Sequence, residues 1–219
     1  MNAKKLFILN ELLLILTMVF GISQLSFAAG TSGSITGMIH VKRAYVNTKG
    51  PRSNRAVVVY LLPVHPPKFL EPKATAVMIQ KKLNFFPHVL IIQKGSTVKF
   101  LNDDTVKHDV MDPGDFDLGI FGKGVARDHT FKSDGTKTIL CSLHPQMLAY
   151  IIVVNTPYFT KSDLITNYKL KQQYAKYLIG NIPAGNYVVR VWNHDLSARR
   201  QHVHIVSGKT TVFNINIHE

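Results

Sequence analysis

The feature that most constrains this chain is its rhythm of short, β-prone runs broken by turn residues. The runs are Ile35–Val41, Ala56–Leu62, Ala74–Gln80, Val89–Ile92, Thr97–Leu101, Lys137–Cys141, Leu148–Val154, Tyr187–Trp192, His202–Val206 and Thr210–Ile217. They are rich in Val, Ile, Thr and aromatic residues, with partial alternation of apolar and polar positions, the period of a strand with one buried face. Lys94-Gly95, Asn102-Asp103-Asp104, Asp112-Pro113-Gly114, Ser133-Asp134-Gly135 and Pro183-Ala184-Gly185 punctuate them. Only Asp163–Tyr177 reads as holding a helical turn. Many short strands with regular turns predict an all-β sandwich or barrel. Pro63–Pro72, with four prolines, marks one boundary, and Asn155-Thr156-Pro157 marks a second. At 46% hydrophobic residues the chain is too apolar for intrinsic disorder.

The segment between those boundaries contains the one cysteine of the chain. A single cysteine excludes an intrachain disulfide framework, a multi-cysteine zinc site and an iron–sulfur cluster held by one chain. It stands in Cys141-Ser142-Leu143-His144-Pro145-Gln146-Met147, a short loop between two expected strands. Taken alone, Cys141 and Met147 read as buried core residues. Taken together, a thiolate, an imidazole and a thioether at this spacing can converge on one ion, and their softness suits copper. A trigonal two-histidine, one-cysteine site with a weak axial methionine lacks one imidazole here. His108, after the strand Thr97–Leu101 and the polar turn Asn102-Asp103-Asp104, is the best candidate for it.

These residues carry a family resemblance. Residues 74–156 resemble the cupredoxins, the small type 1 copper proteins. The Cys-x-x-His-x-x-Met loop is of the short kind found in amicyanin and pseudoazurin. Phe86-Pro87, Lys94-Gly95-Ser96-Thr97-Val98-Lys99-Phe100, Asn102 and His108 resemble the family's approach to its first histidine. Phe116–Gly124 and Pro87-His88-Val89-Leu90 look like a plastocyanin-like subgroup linked with methylamine utilisation. The resemblance implies a Greek-key β-sandwich holding one copper ion at His108, Cys141, His144 and Met147. It also implies one-electron transfer rather than enzymatic turnover, with the His144 edge as the exit for electrons. Copper storage, delivery or sensing is the alternative. The chain departs from the family at Asp109, where Asn is usual. A carboxylate accepts the same hydrogen bonds but cannot donate when ionised. Its negative charge is expected to favour Cu(II) and lower the reduction potential.

The flanks, Ile35–Leu62 and the tail with Pro183-Ala184-Gly185-Asn186-Tyr187, resemble the opening and closing strands of a carboxypeptidase-regulatory-like sandwich. That resemblance implies a second, smaller, discontinuous sandwich made of residues 30–66 and 157–219, serving as scaffold or docking surface. Among the other histidines, His88 is expected near the site or at the surface. His202 and His204 alternate on a strand and read as a solvent-facing pair. Other chemistries fail on inventory. A binuclear copper site needs two cysteines, and a trinuclear copper centre needs several His-x-His pairs. A cysteine hydrolase gives the loop methionine no role, and no phosphate-cradling glycine loop is present.

The first residues read as an address. Lys4 and Lys5 precede an apolar stretch interrupted by Asn10 and Glu11, and Ser26-Phe27-Ala28 offers small residues at a cleavage site. Residues 1–28 are therefore expected to be a secretory signal, with an uncleaved membrane anchor as the alternative. Export implies a periplasmic or extracellular location and no stable membrane insertion once the signal is cut. The chain carries 26 Lys and Arg against 13 Asp and Glu, a net +13. Removing the single net charge of Lys4, Lys5 and Glu11 leaves +12. The basic residues are scattered, so the expected partner is a redox protein with an acidic docking surface, not nucleic acid.

Overall fold

The structure, a computed structural model, describes residues 32–42, 55–65, 72, 75–167, 169–170, 172–196 and 200–218. The expected signal, residues 1–28, and most of the Pro63–Pro72 boundary lie outside the described residues. The described chain is all-β, with no α-helix among the described residues. It forms four sheets enclosing two cores.

The first core belongs to the flanking segments. One of its sheets joins β13 (Ile165–Asn167), β14 (Gln172–Pro183), β1 (Ser32–Lys42), β17 (Thr210–Val212) and β18 (Ile215–His218). The other joins β12 (Phe159–Asp163), β2 (Ala56–Pro63), β15 (Gly185–Trp192) and β16 (Gln201–Ile205). Strand β1 is the keystone. It pairs antiparallel with β14 on one edge and parallel with β17 and then β18 on the other. The crossing from β17 to β18 passes directly over Gly37, where an added Cβ would lie 1.9 Å from the Phe213 carbonyl oxygen. Only glycine permits that backbone approach. The Pro183–Tyr187 turn carries the chain from one sheet to the other, and Tyr187 Oη ties it by donating to the Pro183 carbonyl at 2.8 Å. This sandwich is discontinuous, as expected. Each sandwich has nine strands among the described residues.

The second core lies between a sheet of β4 (Asn84–Phe86), β3 (Ala76–Lys81), β6 (Thr97–Asn102) and β9 (Ala126–Thr130) and a sheet of β5 (Val89–Gln93), β11 (Leu148–Val154), β10 (Gly135–Leu140), β7 (Met111–Asp112) and β8 (Phe116–Asp117). Parallel pairing of β3 with β6 and of β5 with β11 requires the chain to cross repeatedly between the sheets.

Two strands bind the sandwiches together. On β2, Val57, Val59 and Leu61 enter the first core, while Ala56, Val58 and Tyr60 face the seam. On β11, Ala149, Ile151 and Val153 enter the second core, while Tyr150, Ile152 and Val154 face the same seam. Burial on both faces explains why these two segments read as unbroken apolar runs and not as alternating ones. The sheets therefore stack four deep.

Among the described residues of Asp163–Tyr177 no helix forms. Asp163 ends β12, and Tyr177 lies within β14, where Gln173, Ala175, Tyr177 and Ile179 alternate inward. Gln, Ala and Lys favour helix intrinsically, but pairing with β1 overrides that weak preference. The run Thr210–Ile217 is likewise split into β17 and β18.

Candidate metal centre

The polar end of the second sandwich is built by two loops. The first follows β6. Asn102 is fully buried, and its side chain organises the turn that leads to His108. Its Oδ1 accepts the Asp104 amide at 2.8 Å, and its Nδ2 donates to the carbonyls of Val106 and Phe121, each at 2.9 Å. Asp104 is fixed in turn by the amides of Leu83, at 2.8 Å, and Thr105, at 2.9 Å. His108 is then locked by paired backbone hydrogen bonds with Phe121, at 3.1 and 2.8 Å. Its side chain is fully buried.

The second loop, Cys141–Met147, joins β10 to β11, and the pair Leu140–Leu148 closes its base. Its amides turn twice. His144 N–H donates to the Cys141 carbonyl at 3.3 Å, and Met147 N–H to the His144 carbonyl at 2.9 Å. Cys141 and Met147 sit in the apolar core with Val110 and Phe121, while His144 is half-buried at the surface.

Three donor atoms meet. His108 Nδ1 lies 3.1 Å from His144 Nδ1 and 4.0 Å from Cys141 Sγ, and His144 Nδ1 lies 3.6 Å from Cys141 Sγ. An ion held in a trigonal plane at about 2.0–2.3 Å from nitrogen and thiolate donors separates those donors by about 3.5–3.8 Å. The triangle formed by His108, Cys141 and His144 has edges that bracket that size, one shorter at 3.1 Å and one longer at 4.0 Å. The structure thus brings three of the four expected residues together at one point, and it places the fourth, Met147, in the same buried cluster as Cys141.

Hydrogen bonds fix the state of the donors. Asp104 Oδ2 lies 3.2 Å from His108 Nε2. The Leu83 amide above all, opposed by burial and supported by Thr105 and His108, holds the Asp104 carboxyl below its ordinary range. An ionised carboxylate only accepts, so Nε2 carries the proton and the Nδ1 lone pair faces the other donors. The backbone N–H of Asp109 donates to Cys141 Sγ at 3.4 Å. Asp109 itself is buried, and its Oδ2 accepts Ser142 Oγ at 2.6 Å. It therefore clamps the His108 segment to the cysteine loop. Asp109 Oδ1 has no hydrogen-bond partner among the described residues.

In the sequence Asp103-Asp104 reads as turn punctuation, and Asn102 as part of a turn and of the resemblance, with no task assigned to either side chain. Asp104, four residues before His108, and Asn102 are the positioning residues that reading missed. The signal that could have found them is a carboxylate one turn before a candidate ligand histidine. The other histidines lie apart from the cluster. His88 is half-buried with its ring edge-on to Tyr150 at 6.0 Å. His202 and His204 are exposed on β16 of the other sandwich.

No family model and no curated protein matches the chain. Its neighbours among solved structures are cupredoxins. A purple cupredoxin from Nitrosopumilus maritimus aligns at 24% identity and TM-score 0.34, over 36% of this chain and 99% of that one. A reduced tryptophan-to-tyrosine mutant of amicyanin aligns at 22% identity and TM-score 0.36, over 38% of this chain and 85% of its own. An oxidised proline-to-alanine mutant of amicyanin aligns at 23% identity and TM-score 0.35, over 36% and 82%.

Proposed function

We propose that this protein is an exported, mononuclear copper protein that carries single electrons, with the ion held by His108, Cys141, His144 and Met147. The observation that carries the reading is the triangle of two imidazole nitrogens and one cysteine sulfur, with edges of 3.1, 3.6 and 4.0 Å. Two imidazoles, a thiolate and a thioether form a donor set suited to copper in both oxidation states. Copper bound there supplies a Cu(II)/Cu(I) couple.

The chain's own groups do the rest. Asn102 and Asp104 hold the His108 ring, and the Leu140–Leu148 pair holds the Cys141 loop, so the donors are positioned by the fold. Phe121, Val110 and Met147 keep water from the thiolate. His144 is the half-buried donor, flanked by Leu143, which is 43% exposed, and by exposed Pro145. We read its ring edge as the exit for electrons and its apolar neighbours as the contact for a partner. The positive charge of the chain favours an acidic partner surface.

The same proposal includes the division of the chain. Residues 1–28 are an export signal, and 74–156 form the copper domain. Residues 30–66 and 157–219 form a regulatory-like sandwich that acts as scaffold or docking surface. Redox cycling tests the carrier role. The copper-loaded protein is expected to lose its visible colour with one equivalent of a mild reductant and to regain it fully with one equivalent of oxidant. Loss of the ion on reduction would contradict the role and favour delivery.

A further inference from the structure

The His202-Val203-His204 run is left without a role by the copper centre. It lies on β16, the edge strand of its sheet. Val203 and Ile205 point into the core of the flanking sandwich, so His202 and His204 point the other way, and both are exposed. Residues two apart on a strand share a face with Cα atoms about 6.6–6.8 Å apart, within reach for two imidazoles to grip one ion. The adjacent strand supplies Asn186, directly opposite His204 in the register. Asn186 Oδ1 lies 2.7 Å from His204 Nδ1. Nδ1 therefore carries the proton, and Nε2 presents its lone pair outward. An outer partner that fixes tautomer and ring orientation is the usual support of a metal-binding histidine. The Thr211 hydroxyl also caps the His204 carbonyl at 3.4 Å. Both rings line an open cavity of ≈ 390 Å³, shared with Val64, Asn186 and Val203. That leaves room for an ion and for the further donors it needs.

We propose that His202 and His204 form a second metal site that takes one late first-row divalent ion. The donors define the class. Two imidazoles with no carboxylate among the described lining residues disfavour a calcium or magnesium site, which wants oxygen ligands. The absence of thiolate or thioether in the lining disfavours Cu(I). Among Ni(II), Cu(II) and Zn(II), the general order of stability puts Cu(II) first. Two protein donors leave the remaining positions to water, so the ion exchanges readily. The site suits capture of a divalent ion at the surface and does not suit a permanent structural role.

The experiment compares the full purified chain with the His202→Ala, His204→Ala double variant. Each is dialysed against Cu(II) alone, bound metal is counted, and electron paramagnetic resonance is recorded. The variant is expected to bind one equivalent fewer and to lose an imidazole-coordinated signal without thiolate character. Asn186→Ala, which removes only the orienting contact, is expected to weaken that equivalent by about tenfold or more. Both imidazoles are exposed, so circular dichroism should be unchanged; His202→Gln alone serves as a second, milder variant. Equal equivalents in parent and variants would overturn the proposal. The readout is a difference between chains, so it separates the two sites. One equivalent in the parent that is lost in the variant supports this site and contradicts the Cys141 centre. One equivalent retained in the variant does the reverse.

Discussion

Among the described residues the two sandwiches have the same number of strands but treat buried polar groups differently. In the flanking sandwich each buried polar side chain closes its own surroundings. Asn193 Nδ2 donates to the Ala56 carbonyl at 2.9 Å, and its Oδ1 accepts the amides of Asp195 and Leu196, each at 3.0 Å. Gln173 Nε2 donates to Thr166 Oγ1 at 3.1 Å. In the other sandwich Ser96 is buried at the β5–β6 turn, while His108 and Asp109 are buried at the Cys141 loop, with Sγ 4.0 Å from His108 Nδ1 and accepting the Asp109 amide. There the bonds leave something over. The His108 Nδ1, His144 Nδ1 and Cys141 Sγ atoms face one another, and Asp109 Oδ1 and the Gln80 amide have no partner among the described residues. Unsatisfied buried polarity is costly, at about 1–3 kcal/mol per group. Asp109, with one of these unpartnered atoms, donates its backbone N–H to Cys141 Sγ, one of the three converging donors.

Substitutions can break this contrast from either side. The largest effect on stability is expected in the flanking sandwich. Leu61→Ala there removes a fully buried side chain and should cost about 2–5 kcal/mol, measured by denaturant unfolding, while copper colour per folded molecule stays unchanged. A lost band at full folding would mean that the flanking core helps shape the site. Asn102→Ala acts on the other side. It strands the carbonyls of Val106 and Phe121 and should cost about 1–3 kcal/mol. Unlike Leu61→Ala, it should also alter the copper spectrum, because it frees the turn that aims His108.

Smaller effects sharpen the contrast. Asp109→Asn keeps an acceptor for Ser142 Oγ but removes a buried charge bonded to the cysteine loop. The reduction potential should rise, read by voltammetry; an unchanged potential would show that the Asp109 charge does not reach the metal. Asp104 supplies the pH dependence. Its folded pKa lies below the ordinary value of 3.8, first because the Leu83 amide bonds the carboxylate. Its contribution is therefore complete above pH 3.8 and is lost as pH falls through the lowered value. Thermal midpoints of the apoprotein between about pH 2 and pH 5 should fall less steeply in Asp104→Asn than in the parent.

Much of this was legible in the sequence where the signal was local. The Cys141–Met147 loop carries three candidate donors within one turn region, and the β-prone runs Ala56–Leu62 and Leu148–Val154 correspond to β2 and β11. What was not legible depends on distant partners. β14 contains helix-favouring Gln, Ala and Lys and becomes a strand because β1, far earlier in the chain, pairs along most of its length. Asp104 and Asn102 were invisible as positioning groups because Asn and Asp are ordinary turn residues, and only the placed His108 ring gives them a further task.

The most direct test of the central claim is the visible spectrum of the protein after one equivalent of Cu(II). A site of two imidazoles and the Cys141 thiolate should give an intense thiolate-to-copper charge-transfer band that saturates at that equivalent. The band should be absent in Cys141→Ser. A parent protein that binds Cu(II) without the band, or a Cys141→Ser variant that keeps it, would contradict the account.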